Sequence, residues 1–250
     1  MREEKLNELA GLLASVSRVA VLTGAGISAE SGIPTFRGEQ GLWKQFRAEE
    51  LATPEAFERD PRLVWEWYDW RRKIIGQAAP NAGHRILAAW QGMFSSFSLI
   101  TQNIDGLHER AGSRDPLELH GCIWKVRCLR EGTLSENRDV PLRDLPPLCP
   151  DCGGLLRPHV VWFGEPLDSR VLDEAFRRCS SCQVMFVVGT SAVVHPAAAL
   201  PLAAAEAGAV LVEVNPEPTP LTRAADFSFR GESGSLLPLL NRKLAAPDGP

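Results

Sequence analysis

A glycine-rich turn is the first feature of this sequence that could do chemistry. Residues 18–23 form a short apolar run that stops at Gly24 and Gly26. Glycines directly after a buried strand let the backbone approach a phosphate, and the N-terminus of a following helix offers unpaired N–H groups. The turn lacks the third glycine of the usual dinucleotide fingerprint. By itself it fits a phosphate site and an ordinary strand-to-helix connection equally well.

A histidine and an Asn–Asp pair could supply acid–base and polar groups. An imidazole has a pKa near neutrality, which suits a base that takes a proton from a hydroxyl. His120 precedes a glycine, a position where a histidine is more often a structural hydrogen-bonding residue. Asn103 and Asp105 stand two residues apart, a spacing that can hold a carboxamide and fix a ribose or a water molecule. The alternative role for Asp105 is an N-cap before Leu107.

Four of the six cysteines fall into two Cys-x-x-Cys pairs. In a protein that is not secreted, such pairs indicate metal ligands or buried thiols rather than disulfides. Cys149 and Cys152 lie in a segment with short β-like runs and are candidate metal ligands. Cys179 and Cys182 lie between a predicted helix and a predicted strand, which favours buried structural thiols.

Length and charge exclude several classes of protein. A chain of 250 residues is long enough for one large domain or two unequal ones. With 27 basic and 31 acidic residues, the net charge of −4 provides no positive field for a phosphate backbone, so direct nucleic-acid binding is not expected. No apolar run approaches the roughly 20 residues that span a bilayer, and the N-terminus is charged. We therefore expect a cytoplasmic protein without a membrane partner.

Predicted strands and helices alternate over most of the chain. Besides residues 18–23, the pattern predicts buried strands at 97–101, 184–189 and 209–214. It predicts helices at 3–14, 81–93, 168–178 and 196–208. This alternation is typical of an α/β fold with a doubly wound parallel sheet. Two stretches interrupt it and divide the chain into a large nucleotide-type domain of residues 1–46, 79–121 and 161–250, a helical insertion at 47–78, and a small cysteine-containing module at 122–160.

The glycine turn continues into a long signature that resembles the sirtuin family. Residues 24–38 read GAGISAESGIPTFRG, and similar segments follow in order at 101–108 (TQNIDGLH), 119–121 (LHG), 161–165 (VWFGE), 189–191 (GTS) and 214–217 (VNPE). The resemblance extends from about residue 18 to residue 240. It implies a Rossmann-like domain with a small zinc-ribbon-like module. It also implies that NAD⁺ is a co-substrate, and that an acyl group passes from a protein lysine to ADP-ribose with release of nicotinamide.

The same resemblance assigns roles to individual residues, with His120 as the catalytic base. Contacts to NAD⁺ are implied for Gly24, Ala25, Gly26, Ser28, Phe36, Arg37, Gln102, Asn103, Ile104, Asp105, Gly189, Thr190, Ser191, Asn215, Pro216, Glu217 and Ser233. Phe36 and Arg37 belong to a loop that we expect to close over NAD⁺. The acylated peptide is expected to pair with the backbone of Val161, Trp162, Phe163, Gly164 and Glu165, a mode that tolerates many peptide sequences.

Tyr68 and Arg71 are candidates for selecting the acyl group. They stand three residues apart, which places them on one face of a helix. The pair resembles that of the sirtuin class that prefers dicarboxylic acyl groups, such as succinyl and malonyl. A guanidinium can bind a carboxylate through two hydrogen bonds, and a phenol can donate a third. The alternative is an aromatic packing helix, indicated by the neighbouring tryptophans, in which Arg71 and Arg72 are merely solvated.

The predicted metal site departs from the sirtuin pattern of two zinc-binding Cys-x-x-Cys pairs. Cys149 and Cys152 form the second pair, but the first reads Cys128-Leu-Arg-Glu131. Glu131 has the spacing of the missing ligand, although closed structural zinc sites usually prefer thiolates and imidazoles. Cys122 lies six residues before Cys128, about 20 Å away on an extended strand. The sequence leaves two alternatives open, bound zinc and a folded module without metal.

The predicted function is that of an NAD⁺-dependent protein-lysine deacylase, a deacetylase that also removes succinyl or malonyl groups. Two other functions remain open, a protein mono-ADP-ribosyltransferase on the same scaffold and a catalytically idle NAD⁺-binding sensor. The joint presence of His120, Asn103 and Asp105 argues against an idle protein.

Overall fold

A computed structural model of the chain, which describes residues 2–34 and 46–245, contains two β-sheets. Their strands are β1 (Arg18–Thr23), β2 (Ser96–Thr101), β3 (Leu117–Glu118), β4 (Gly121–Cys128), β5 (Leu134–Glu136), β6 (Leu156–Val160), β7 (Val184–Val188), β8 (Val210–Val214) and β9 (Phe227–Phe229). The larger sheet is parallel, in the order β3-β2-β1-β7-β8-β9, and the smaller is antiparallel, in the order β5-β4-β6. The predicted fold class, a Rossmann-like parallel sheet with a small inserted module, is confirmed.

Helices pack against both sheets. They are α1 (Arg2–Ser15), α2 (Ala25–Ala29), α3 (Ala48–Leu51), α4 (Pro54–Arg59), α5 (Pro61–Gln77), α6 (Ala82–Trp90), α7 (Leu107–Arg110), α8 (Ser169–Ser181), α9 (Leu200–Glu206) and α10 (Ser233–Ala245). Among these helices of the described chain, none has the length and apolar character needed to cross a membrane.

Most predicted elements are present, with ends that differ by up to three residues. The exception is the helix predicted at 196–208, which is a 3-10 turn at Ala197–Ala199 followed by α9. Pro201 explains the break, because proline has no N–H to donate and fits only the first turn of an α-helix. The short strands β3 and β9 have too few residues for a periodic pattern, so the sequence did not predict them.

The central strands of the parallel sheet are buried on both faces. Val19 and Val21 of β1 share a buried cluster with side chains from α1, α6 and α10. Ala20 and Leu22 of the same strand share another cluster with side chains from α8 and α9. Helices therefore cover both faces, which explains why β1 reads as a continuous apolar run rather than an alternating one.

The second Cys-x-x-Cys pair belongs to this core. Cys179 at the end of α8 and Cys182 just after it are both buried. Burial raises the pKa of Cys179 to about 12 and that of Cys182 to about 11. Such thiols remain protonated at neutral pH, so the prediction of buried structural cysteines is confirmed.

The helical segment from α3 to α5 packs on the small antiparallel sheet. Trp65 and Trp67 of α5 share a buried cluster with Ile123 and Trp124 of β4. The indole N–H of Trp65 also donates to the carbonyl of Leu156 on β6, at 2.8 Å. The two interruptions of the α/β pattern therefore form one core between them.

Arg72 lies inside that core, so the alternative in which it is merely solvated is wrong for this residue. Its side chain is fully buried, and two of its N–H groups donate to the carbonyl of Ile123 at 2.7 and 3.1 Å. A third donates to the side-chain oxygen of Asn137 at 2.7 Å. The guanidinium also lies over the rings of Trp65 and Trp124, 5.6 and 5.7 Å from their centroids. Burial lowers the pKa of Arg72 to about 10, which leaves it charged at neutral pH.

We predict that Arg72→Met lowers the free energy of unfolding by about 3 kcal/mol, because it leaves buried acceptors without donors. Denaturant unfolding followed by tryptophan fluorescence measures the change. Arg62→Met is the matched control, since the side chain of Arg62 on the same helix is 72% exposed. Equal stabilities of the two variants would contradict the structural role of Arg72.

Candidate functional site

The site lies where the strand order of the parallel sheet reverses. β1 lies between β2 and β7 in the sheet. From β1 the chain adds β2 and β3 on one side and then crosses over to add β7, β8 and β9 on the other. In open α/β sheets such a switch point leaves a crevice at the carboxyl ends of the strands, which is the usual ligand site. The segments after β1, β2, β7 and β8 are the ones predicted to contact NAD⁺, and the parallel sheet brings all four to this edge.

The turns after β1 and β7 are in direct backbone contact. The N–H of Gly26 donates to the carbonyl of Gly189 at 2.7 Å, and Gly189 has a left-handed φ of +60°. A Cβ atom on Gly26 would lie 2.7 Å from the Cα of Gly189, too close for two carbon atoms. Gly26 and Gly189 thus allow the two turns to touch where a side chain would keep them apart. Gly24 is the N-cap of α2, and Ala25 is its first residue.

Ser28, Asn103 and Asp105 form one hydrogen-bond network behind this turn. The hydroxyl of Ser28 donates to Asp105 at 2.7 Å, and the amide of Asn103 donates to the Ser28 oxygen at 3.1 Å. Asn103 also donates to the carbonyl of Gly24 at 3.0 Å. The other oxygen of Asp105 accepts from the N–H of Leu107, the first residue of α7, at 2.8 Å. The N-cap of α7 is nevertheless Gly106, so Asp105 stands one residue before the predicted cap position. Burial raises the pKa of Asp105, and the hydrogen bonds from Leu107 and Ser28 oppose that rise.

Gln102 connects His120 to the turn after β7. Its side-chain amide donates to the hydroxyl of Thr190 at 2.9 Å, and its carbonyl lies 2.9 Å from Nδ1 of His120. A carbonyl only accepts hydrogen bonds, so the neutral imidazole carries its proton on Nδ1 and has its lone pair on Nε2. Burial lowers the pKa of His120, while the bond to Gln102 partly opposes this. His120 is therefore neutral at neutral pH, with one nitrogen able to accept a proton.

Two buried histidines that the sequence did not single out lie beneath the network. Nε2 of His108 is 2.9 Å from the hydroxyl of Thr23, and the rings of His84 and His108 are 4.8 Å apart. Nε2 of His84 lies 3.5 Å from the hydroxyl of Ser28. Burial lowers the pKa of His84 to about 4 and that of His108 to about 3, so both are neutral at neutral pH.

The segment after β8 is held by a buried acid. Glu213 is 1% exposed, and it accepts hydrogen bonds from the hydroxyls of Thr222 and Ser228 at 2.8 and 2.7 Å. It also pairs with Arg230 at 3.1 Å, and Arg230 donates in turn to the carbonyl of Glu217. Glu213 thereby fixes the Asn215-Pro216-Glu217 segment. The only sequence signal for it is an acid within an otherwise apolar strand.

The remaining predicted NAD⁺ contacts are less central to this network. Ser191 follows Thr190 and is partly buried, and Ile104 accepts a backbone bond from Ile123 at 2.8 Å. Ser233 lies at the start of α10, where its hydroxyl donates to Glu30 at 2.6 Å. Phe36 and Arg37 lie outside the described residues.

Residues 161–165 form a tight turn beside His120 rather than an extended strand. The N–H of Val161 donates to the carbonyl of His120 at 3.0 Å, and Gly164 has a φ of +86°. The N–H groups of Trp162, Phe163 and Glu165 are also engaged within the protein. An incoming peptide would therefore meet carbonyl oxygens and the N–H of Gly164 here, because the other four N–H groups of the turn already donate within the protein. The side chain of Phe163 is 48% exposed.

Tyr68 and Arg71 lie between this turn and the Asp105 network. The indole of Trp162 donates to the hydroxyl of Tyr68 at 2.9 Å, and Tyr68 is 1% exposed. Burial raises the pKa of Tyr68 to about 12, so it stays a neutral phenol. Arg71 is partly buried, with its guanidinium 5.1 Å from the ring centroid of Trp67. Burial lowers the pKa of Arg71, while the charges of Tyr68 and Asp105 raise it.

The predicted metal ligands meet at one end of the small sheet. The sulfur atoms of Cys128, Cys149 and Cys152 and a carboxylate oxygen of Glu131 all lie within 4.8 Å of one another. The sulfurs of Cys128 and Cys152 are 3.5 Å apart, near the roughly 3.8 Å that tetrahedral zinc–thiolate geometry requires. Cys122 is not part of this group. The four side chains present therefore fit a zinc ion in number and spacing.

Comparison with known proteins agrees with this geometry. The sequence profile of the Sir2 family matches residues 24–196. An NAD-dependent protein deacylase of Aquifex aeolicus is 57% identical over 217 residues, which are 87% of this chain and 91% of that protein. A crystal structure of a Sir2 homolog–NAD complex superposes with a TM-score of 0.91 at 48% identity, covering 96% of this chain and 94% of the other. A mutant Sir2 homologue in complex with 2′-O-acetyl ADP ribose gives a TM-score of 0.90 at 48% identity, covering 96% of both chains.

The contact between the two glycine turns generates a prediction about NAD⁺ binding. Gly26→Ala forces the turns after β1 and β7 apart, and overpacking of this kind costs about 1 to 3 kcal/mol. We expect NAD⁺ affinity, measured by calorimetric titration, to fall about tenfold or more. Gly11→Ala is the matched control, because an added Cβ there has no atom within 4 Å. Unchanged NAD⁺ affinity in a folded Gly26→Ala protein would refute the role of this contact.

Proposed function

Because this chain belongs to the Sir2 family and is an NAD⁺-dependent protein deacylase, we propose that it prefers acyl groups that end in a carboxylate, such as succinyl and malonyl. It also removes acetyl groups in this proposal, but less efficiently. The single observation that supports the preference is the position of Tyr68 and Arg71, which lie between the Asp105 network and the turn of residues 161–165.

NAD⁺ supplies the ADP-ribose that accepts the acyl group when nicotinamide leaves. For this chemistry the chain offers a cluster of hydrogen-bonded polar groups, in which Ser28 and Asp105 are buried. Asn103 and Asp105 are held by Ser28 and by backbone groups, so their positions are fixed before any ligand binds. In the proposal they orient the carboxamide and the ribose, which saves ordering entropy when the ligands bind.

His120 is the proposed general base. Its proton lies on Nδ1 because the carbonyl of Gln102 accepts there, and Nε2 is therefore ready to take a proton from a ribose hydroxyl. Val161 donates to the carbonyl of His120, so the backbone that carries the base also carries the proposed peptide-binding turn. This connection keeps the base and the acyl-lysine in register.

The proposed acyl preference rests on the hydrogen bonds that Tyr68 and Arg71 can donate to a carboxylate. The hydroxyl of Tyr68 accepts from Trp162, which leaves its own proton to donate to an acyl carboxylate. A guanidinium stays charged when buried and can hold a carboxylate with two hydrogen bonds. Stacking on Trp67 limits the motion of Arg71, so little entropy is lost on binding. An acetyl group has no carboxylate to receive these bonds.

We predict that Arg71→Met raises KM for a succinyl-lysine peptide about 10- to 100-fold, since hydrogen bonds to a charged group contribute about 1.5 to 3 kcal/mol. The rate with the matching acetyl-lysine peptide should stay within about twofold. Steady-state kinetics with mass-spectrometric detection of the acyl-ADP-ribose product measure both.

Arg62→Met, an exposed change on the same helix, is the control and should alter neither substrate. Equal losses on both peptides would refute a specific role of Arg71 in acyl recognition. The product also tests the broader reaction, because modified protein instead of acyl-ADP-ribose would indicate ADP-ribosyl transfer.

The pH dependence of kcat/KM should report His120. Burial lowers its pKa below the ordinary value of 6.5, so the imidazole stays unprotonated, and active as a base, to a more acidic pH. We expect the acidic limb of the profile to have its midpoint below 6.5. His120→Ala should reduce kcat about 10²- to 10⁴-fold with NAD⁺ affinity largely retained. A midpoint clearly above 6.5 would contradict this assignment.

A further inference from the structure

Two turns of the small module have the same backbone hydrogen bonds. They span residues 128–133 and 149–154, and each begins with a cysteine. In each, the N–H of the first residue donates to the carbonyl of the sixth, at 2.9 and 2.7 Å. The N–H of the fifth residue donates back to the carbonyl of the first, at 2.9 and 2.8 Å. The fifth residue is in both cases a glycine in the left-handed region, with φ of +72° and +68°.

This equivalence gives Glu131 a defined structural position. It is the fourth residue of the first turn, and Cys152 is the fourth residue of the second. Its carboxylate points to the three sulfurs, since its oxygen belongs to the group of ligand atoms within 4.8 Å of one another. The first turn is therefore shaped around a ligand set that includes Glu131.

We propose that Glu131 is the fourth protein ligand of a zinc ion bound by Cys128, Cys149 and Cys152, and that this site releases zinc more readily than four thiolates would. Zinc is borderline soft and binds thiolates well in closed structural sites, whereas carboxylates suit harder cations. Glu131 is also exposed, so water can reach the carboxylate side of the ion. Because a carboxylate stands here in place of a thiolate, the bond from Glu131 to zinc is the weakest of the four.

Zinc bound at this end of the small sheet would affect the rest of the module. Cys128 ends β4 and pairs with Leu156 at the start of β6. The opposite ends of these strands pair Gly121 with Val160, next to His120 and the turn of residues 161–165. The two ends are about 23 Å apart on a strand of eight residues. Zinc at one end would thus hold in register the two strands that carry the proposed base and peptide-binding turn.

The test compares zinc release from the full-length protein and three variants. Zinc-loaded wild type, Glu131→Cys, Glu131→Ala and Glu136→Ala are mixed with a chromophoric chelator, and the zinc affinity and transfer rate are measured. Glu136 is the matched control, an exposed glutamate of β5 outside the ligand group. We expect Glu131→Ala to lose about tenfold or more in zinc affinity, Glu131→Cys to gain by a similar factor, and Glu136→Ala to match wild type.

Two results would overturn the proposal. One is a wild-type protein that takes up no zinc, and the other is a Glu131→Ala variant whose zinc affinity and transfer rate equal those of wild type. Cobalt replacement provides a second measurement that does not depend on affinity. The sulfur-to-cobalt charge-transfer absorption should be equal in wild type and Glu131→Ala, which have three thiolates, and higher by about a third in Glu131→Cys. A spectrum of Glu131→Cys identical to that of wild type would argue against residue 131 as a ligand.

Discussion

The close approach of two backbones at the switch point organises the rest of the candidate site. The contact between Gly26 and Gly189 exists because neither residue has a side chain, and it brings the turns after β1 and β7 together at the carboxyl edge of the sheet. The loop after β2 contacts both of these turns. Gln102 donates to the turn after β7, and Asn103 donates to the turn after β1. The polar network around Asp105 therefore lies where the two glycine turns meet.

A second region, built from the α3–α5 helices and the small sheet, carries the residues that we propose to bind the acylated substrate. Its core contains Arg72, whose three hydrogen bonds and two aromatic contacts connect α5 to β4 and to the residue after β5. On the same helix, Tyr68 accepts from Trp162, which belongs to the proposed peptide-binding turn. Buried polar groups of this kind fix geometry because an unpaired partner is costly in a low dielectric. The helix that we propose to read the acyl group is therefore held rigidly by its other arginine.

The two regions meet along the backbone at His120. The carbonyl of His120 accepts a hydrogen bond from the N–H of Val161, and Nδ1 of its ring lies 2.9 Å from the carbonyl of Gln102. His120 therefore connects the small sheet to the parallel sheet. In the proposed function, the peptide would contact backbone groups of one turn, whereas the acyl group would contact side chains of α5. Such an arrangement would tolerate many protein sequences and still select the acyl group.

Several properties of this protein were determined by the sequence by itself. They are the parallel α/β class, the strand at 18–23, the buried cysteines at the end of α8 and the family to which the chain belongs, because each rests on a local pattern or a contiguous motif. Other properties were decided only by the tertiary structure. The burial of Arg72, the support of the segment after β8 by Glu213, and the equivalence of Glu131 and Cys152 all depend on residues distant in sequence. A charged side chain looks solvated in a sequence, and only the surrounding fold supplies the hydrogen bonds that allow it to be buried.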